Sequence, residues 1–240
     1  MPDPSPSSRP TLTWSGFLLG ARLLVPVLPG LVVYALAFGA ASANRGMSLG
    51  EATAMSALVY AGAAQMVSLE VWQPTWTAAA LLTIAIVTAA VNARFLLMGA
   101  ALQPWLRGAP PVRTAFGLFF LVDASWILAT RYRDGGGRDL GVLFGAGFTS
   151  WLIWVGGTIP GYLAGSLVAE PRRYALDLVM PIFFAAMAVP LWRGLAVSAL
   201  PWAVAGVVGI VVQAVVPGYL FIVAGALAGA LAGALRRDPA

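Results

Sequence analysis

Four polar side chains interrupt the apolar stretches of this 240-residue chain: Gln65, Asn92, Arg94 and Asp123. A charged group at mid-bilayer costs about 2.5–3.5 kcal/mol on insertion scales, so it has a partner or lines a pathway. Arg94 and Asp123 lie at similar sequence distances on either side of the turn between Trp105 and Arg113. At helical rise both are about 15 Å from that turn. On antiparallel neighbours they reach one depth, which predicts an Arg94–Asp123 ion pair, or a contact through one polar group or water. Such a pair either stiffens a helical hairpin or serves a ligand. In the second case the guanidinium fork meets a carboxylate, and Asp123 balances the Arg or meets an ammonium. A paired Asp123 carries protons poorly, so proton coupling through it requires the pair to open.

Other polar positions have simpler readings. Ser48-Leu49-Gly50-Glu51 fits the S-x-x-E capping box of a helix start. Glu70 and Asp177 fall near the ends of apolar segments and read as interfacial. Pro26 and Pro29 free backbone carbonyls inside an apolar run, which gives a kink or the lining of a site.

Whole classes of chemistry are missing. The chain has no His, no Cys and no Lys; its 14 basic residues are all Arg. This removes disulfides, thiol nucleophiles, zinc, haem and iron–sulfur ligation by Cys or His, the Ser-His-Asp triad, Schiff bases and the Walker lysine. No cofactor is implied. The formal charge of +5 does not indicate nucleic acid, because the arginines are scattered between apolar runs with no basic stripe. They read as membrane-flanking charges.

The elements that must position these groups are helices in a bilayer. Hydrophobic residues make up 60% and charged residues 10% of the chain, with a mean hydropathy of +0.86; a soluble domain is typically about 45–50% apolar and about 25% charged. Residues 1–13 read as a polar, disordered tail without signal-peptide features. Apolar segments follow at 16–43, 51–72, 76–102, 113–131, 141–168, 175–193, 196–216 and 218–235. Most reach the length of a span and none alternates like a barrel strand. The expected fold is an all-α polytopic bundle of seven or eight hydrophobic helices, some broken by Pro or Gly. Segment 51–72, with Ala61-Gly62-Ala63-Ala64, could be re-entrant. A single transmembrane domain, 14–235, divides into halves 14–131 and 141–235 across a charged, Gly-rich linker, 132–140. Residues 236–240 form a C-terminal tail. With eight spans and an inside N-terminus, flanking arginines divide eight to five in favour of that orientation. Small residues recur at four-residue spacing at Gly157, Gly161, Gly165 and at Gly225, Gly229, Gly233. Such a stripe serves internal packing or an intersubunit surface, the last segment being the better candidate for a partner. Pro-Gly at 29, 160 and 217 hints at an internal repeat relating segments 1 and 5.

Three motifs together resemble the AzlC family. The run Gly46-Met47-Ser48-Leu49-Gly50-Glu51-Ala52, continued by Met55-Ser56 and Tyr60-Ala61-Gly62-Ala63-Ala64-Gln65-Met66, looks like its signature. Asn92-Ala93-Arg94 matches an Asn-x-Arg motif, often followed by His. Leu121-Val122-Asp123-Ala124-Ser125 is similar to a Thr-Asp-Glu-Ser stretch. Order and spacing agree over residues 14–130; beyond that only hydropathy and length do. Two positions depart: Phe95 stands where the family often has His, and Ala124 where it has Glu. Both changes remove titratable groups.

The resemblance implies the large subunit of an exporter of branched-chain amino acids in the bacterial cytoplasmic membrane, with a small AzlD-type membrane partner. With no nucleotide-binding motif and no sizeable cytoplasmic coupling loop, a secondary transporter is expected rather than a permease of an ATP-driven system, and no enzyme is expected. The expected substrate-binding residues are Arg94, Asp123, Asn92, Gln65, Ser56, Gly62 and Pro29. Gln65 and Asn92 would hydrogen-bond the backbone of the amino acid, and apolar groups would surround its side chain. Competing readings are a non-transporting assembly or receptor subunit, and an intramembrane protease using Asp123 and Asp177.

Overall fold

The computed structural model describes residues 10–70, 72, 77–107, 109–165, 185, 189, 192–216 and 220–235. Among these residues the chain is helical apart from its loops and one isolated β-bridge. Asp177 and nearly all of the expected span 175–193 lie outside the described residues, as do Pro217, Gly218 and the C-terminal tail. Among the described residues, four stretches are long and apolar enough to cross a membrane: Trp14–Asn44, Ile84–Leu106, Gly141–Gly165 and Leu195–Val215. The chain divides into two compact units, one of residues 1–74 and 92–177, the other of 75–91 and 178–240.

In the first unit the opening stretch is α1 (Trp14–Leu24), a 3-10 turn (Val25–Val27) and α2 (Leu28–Asn44). Pro26 and Pro29 cause the 3-10 interruption, because proline cannot donate to the helical ladder. This stretch lies alongside α8 (Gly141–Gly165), running in the same direction. Gly20 meets Val142 and Ala146, Ala35 meets Gly157, and Ala40 meets Gly165. Glycines let the two backbones touch: a Cβ added at Gly157 would sit 2.7 Å from that of Ala35. The 157/161/165 stripe is thus spent on internal packing.

The two helices begin together, and we call that the lower end. Thr13 caps α1 by accepting from the Gly16 N–H at 3.0 Å. Asp139 accepts from the N–H groups of Thr13 at 3.1 Å and Gly141 at 2.8 Å, and from the Thr13 hydroxyl. Thr11 bridges to the same loop through Leu140 N–H at 2.8 Å. Residues 11–13, read from composition as part of a disordered tail, are therefore tied down, and the linker 132–140 is part of the first unit.

Two segments double back instead of crossing. Helix α3 (Leu49–Leu58) starts at the upper end, with the capping box formed as its sequence predicts: Glu51 N–H donates to Ser48 Oγ, and Ser48 N–H to Glu51 Oε2 at 2.7 Å. It descends against α8, since Met47 contacts Tyr162, Ser56 contacts Thr158 and Tyr60 contacts Gly147. Helix α4 (Gly62–Glu70) then climbs beside α2. Gly62 starts it against Tyr34, and Glu70 ends it in an ion pair with Arg45 at 2.6 Å.

The second hairpin enters from the lower end. After α5 (Ala78–Leu106), α6 (Pro111–Phe119) rises along α8: Phe116 packs on Phe144, and Phe120 on Phe148 and Trp151. Helix α7 (Asp123–Asp134) descends again, ending with Tyr132 against Trp105 and Arg133 donating to the Ala101 carbonyl at 2.8 Å. Leu102, Trp105, Leu106, Leu121, Ala129, Leu140 and Leu143 form the buried core there.

Segments 51–72 and 113–131, read as spans with only the first allowed to be re-entrant, are thus opposed re-entrant hairpins. A long helical stretch followed by a hairpin occurs twice, in 14–70 and 78–134, with the hairpins entering from opposite ends. Segments 1 and 5, linked in the sequence by their Pro-Gly pairs, pack side by side. In the second unit, α9 (Leu195–Val215) and α10 (Leu220–Ala234) form an antiparallel pair. Gly225 lies against Ala205, and Gly229 against Ala205 and Pro201. The stripe expected to face a partner is occupied by α9.

Candidate functional site

The hairpin tips meet inside the first unit. Tyr60 turns the first tip with φ +46°, a left-handed conformation that a residue with a Cβ rarely adopts. Its phenol is buried and donates to the Gly147 carbonyl at 3.2 Å, while its ring packs on Phe119 and Phe120. The second tip, Phe120–Val122, rests on the same glycine: a Cβ at Gly147 would come within 2.9 Å of Phe120 Cβ. Ser125 holds the turn by accepting from Val122 N–H at 3.0 Å.

This tip delivers Asp123 to the first position of α7, where a carboxylate complements the positive helix end. Asp123 pairs with Arg94 at 3.0 Å, as the sequence predicts. The route differs from the expected one. Asp123 is on the limb running parallel to α5, and a nine-residue α6 lifts the tip to the depth of Arg94. Side-chain exposures of 34% for Arg94 and 19% for Asp123 make this a partly accessible pair. The Arg94 guanidinium carbon lies 5.2 Å from the Phe95 ring centroid, a cation–π contact at the position where the resembling family often has His. Arg94 Nε and Asn92 Oδ1 are buried atoms with no hydrogen-bond partner among the described residues.

The first tip has its own polar cluster. Gln65 is fully buried at the start of α4. Its Oε1 accepts from the Ala61 N–H and from the indole N–H of Trp154, both at 3.1 Å. Trp154 stands edge-on to Tyr34 with centroids 5.0 Å apart. Gly62 fits beneath these rings: a Cβ there would lie 2.9 Å from Trp154 Cη2 and 3.0 Å from Tyr34 Cε1.

Among the expected site residues, the structure brings Gln65 and Gly62 together at one tip, and Asn92, Arg94 and Asp123 near the other. Ser56 is taken up in a buried hydrogen bond to Thr158 at 2.8 Å that fastens α3 to α8. Pro29 is exposed on the kinked first helix and does not join the cluster. Residue types alone missed Tyr34, Tyr60, Trp154 and Thr158. The available signal was a Tyr or Trp in mid-segment, since a buried phenol or indole needs a polar partner.

A family model described as AzlC protein matches residues 26–168, more than half of the chain and including both hairpins. Inner membrane protein YgaZ of Escherichia coli (strain K12) is 29% identical over 189 residues, covering 75% of each chain. No solved structure matches. The residues quoted for the resemblance fall on the start and length of α3, on the two tips and on the helix carrying Arg94, and with the apolar spans and the family match they identify the chain as a multi-pass inner-membrane protein of the AzlC family.

Proposed function

We propose that this protein is a secondary transporter that exports branched-chain or related small neutral amino acids, as the large subunit beside a small AzlD-type membrane partner. The observation that carries the reading is the Arg94–Asp123 pair at the start of α7, where the second hairpin is broken. Membrane proteins keep irregular backbone at depth only where protein or a cavity satisfies it, and broken helices frame the sites of many secondary transporters. Two opposed breaks present the N-terminal turns of α4 and α7, Asn92 and Gln65 supply amide groups, and aromatic walls suit an apolar side chain. Export and the partner rest on family membership alone.

The test is counterflow of labelled leucine in proteoliposomes, with and without the small partner. Arg94→Ala abolishes flux and Asp123→Asn reduces it at unchanged insertion into the vesicles. Wild-type flux in Arg94→Ala would make the pair structural. Absence of leucine flux in both wild-type preparations would remove the branched-chain reading.

A further inference from the structure

We infer that the start of α4 is a carboxylate-binding site, built from the first-turn amides of Gly62, Ala63 and Ala64 and the side-chain amide of Gln65. The inference rests on the transporter reading for its ligand, the α-carboxylate of an amino acid, but its geometry stands by itself. The first turn of a helix has N–H groups without intrahelical partners and a positive dipole end, which together favour an anion.

The second observation is Gln65. This residue is 0% exposed, and its Nε2 has no hydrogen-bond partner among the described residues. The orientation of the amide is fixed, because Oε1 accepts from two donors, Ala61 N–H and Trp154 Nε1–H. Flipping it would set the NH2 group against both. Both anchors stand at the start of α4, so the unused donor is held at the positive end of that helix. Burying a donor unpaired is unfavourable, and a carboxylate oxygen would offset that cost.

Gly62 keeps the approach narrow, with Trp154 and Tyr34 closing over its Cα. Arg94, the obvious carboxylate ligand by residue type, is already paired with Asp123. The α4 tip then offers the anion site, while Arg94 and Asp123 neutralise each other.

The experiment measures binding to the purified full chain in nanodiscs, using L-leucine, L-leucinamide and 4-methylvalerate. Wild type prefers leucine to leucinamide by about tenfold or more. Gln65→Ala loses about that factor for leucine and 4-methylvalerate and leaves leucinamide within about twofold. Equal loss for leucine and leucinamide, or no loss, overturns the proposal. Binding of none of the three by wild type counts against the branched-chain reading, and a second variant then decides the site. In Gln65→Glu the new carboxyl is ionised near neutral pH by infrared spectroscopy, because the helix start stabilises an anion there. A protonated carboxyl band overturns the proposal whatever the substrate.

Discussion

Arg94 does more than supply a charge. Its guanidinium holds Asp123 at 3.0 Å and lies beside the Phe95 ring. A lysine would retain the charge but lose the planar fork and its stacking. Arg94→Lys is therefore expected to fail in counterflow by about tenfold or more, although one carboxylate contact is restored. Gly62 is constrained by packing: Gly62→Ala forces a Cβ against Trp154 and Tyr34. Overpacking costs about 1–3 kcal/mol, so the apparent Tm in detergent falls, and leucine flux falls with it as the rings are displaced. Trp154→Phe removes one of the two donors that orient Gln65. It is expected to weaken leucine binding more than it lowers the melting temperature.

Both hairpin tips lean on Gly147 of α8. Its carbonyl accepts from Tyr60, and its missing side chain leaves room for Phe120. Gly147→Ala is expected to push the second tip away, carrying Asp123 with it. Melting measurements should show a loss of about 1–3 kcal/mol. The transport defect should exceed that of Tyr60→Phe, which removes one neutral hydrogen bond worth about 1 kcal/mol. The capping box at Ser48 and Glu51 was legible in the sequence because a cap depends on residues three apart. The break at Phe120–Val122 was not. Leu121 and Val122 are apolar and carry no Pro or Gly, so nothing local marks them as unwound; Gly147 and the aromatic cluster around Phe120 hold that shape from another helix.

At the scale of the molecule, the doubled-back segments regroup the charges. Arg107, Arg113, Arg131, Arg133 and Arg138 fall at the lower end of the first unit, while Arg45 is at the upper end. An eight-span threading divides the first five of these between two faces; the hairpins collect them on one. The positive-inside tendency then puts the lower end in the cytoplasm. Because the chain lacks Cys, single cysteines can be introduced without removing native ones. Gly50→Cys and Glu70→Cys are expected to label from the periplasmic side, and Pro110→Cys and Asp134→Cys from the cytoplasmic side. Labelling of Gly50→Cys and Glu70→Cys from opposite sides would restore a crossing at segment 51–72.

The sequence by itself determined the solvent, the helical class, the excluded chemistries and the polar residues worth watching. Each follows from composition or from spacing within one segment. It also predicted that Arg94 and Asp123 would meet, since both are costly to leave alone in an apolar medium. Only the tertiary structure decided whether an apolar segment crosses or turns back. Hydropathy is the same for a span and for two half-length helices, and the choice is made by distant contacts: Glu70 with Arg45, Tyr60 with Gly147, Tyr132 with Trp105. Other tertiary contacts decided which small-residue stripes were spent inside the fold, Gly157 against Ala35 and Gly225 against Ala205 among them, and Trp154 with the Ala61 amide oriented the buried amide of Gln65 at the start of α4.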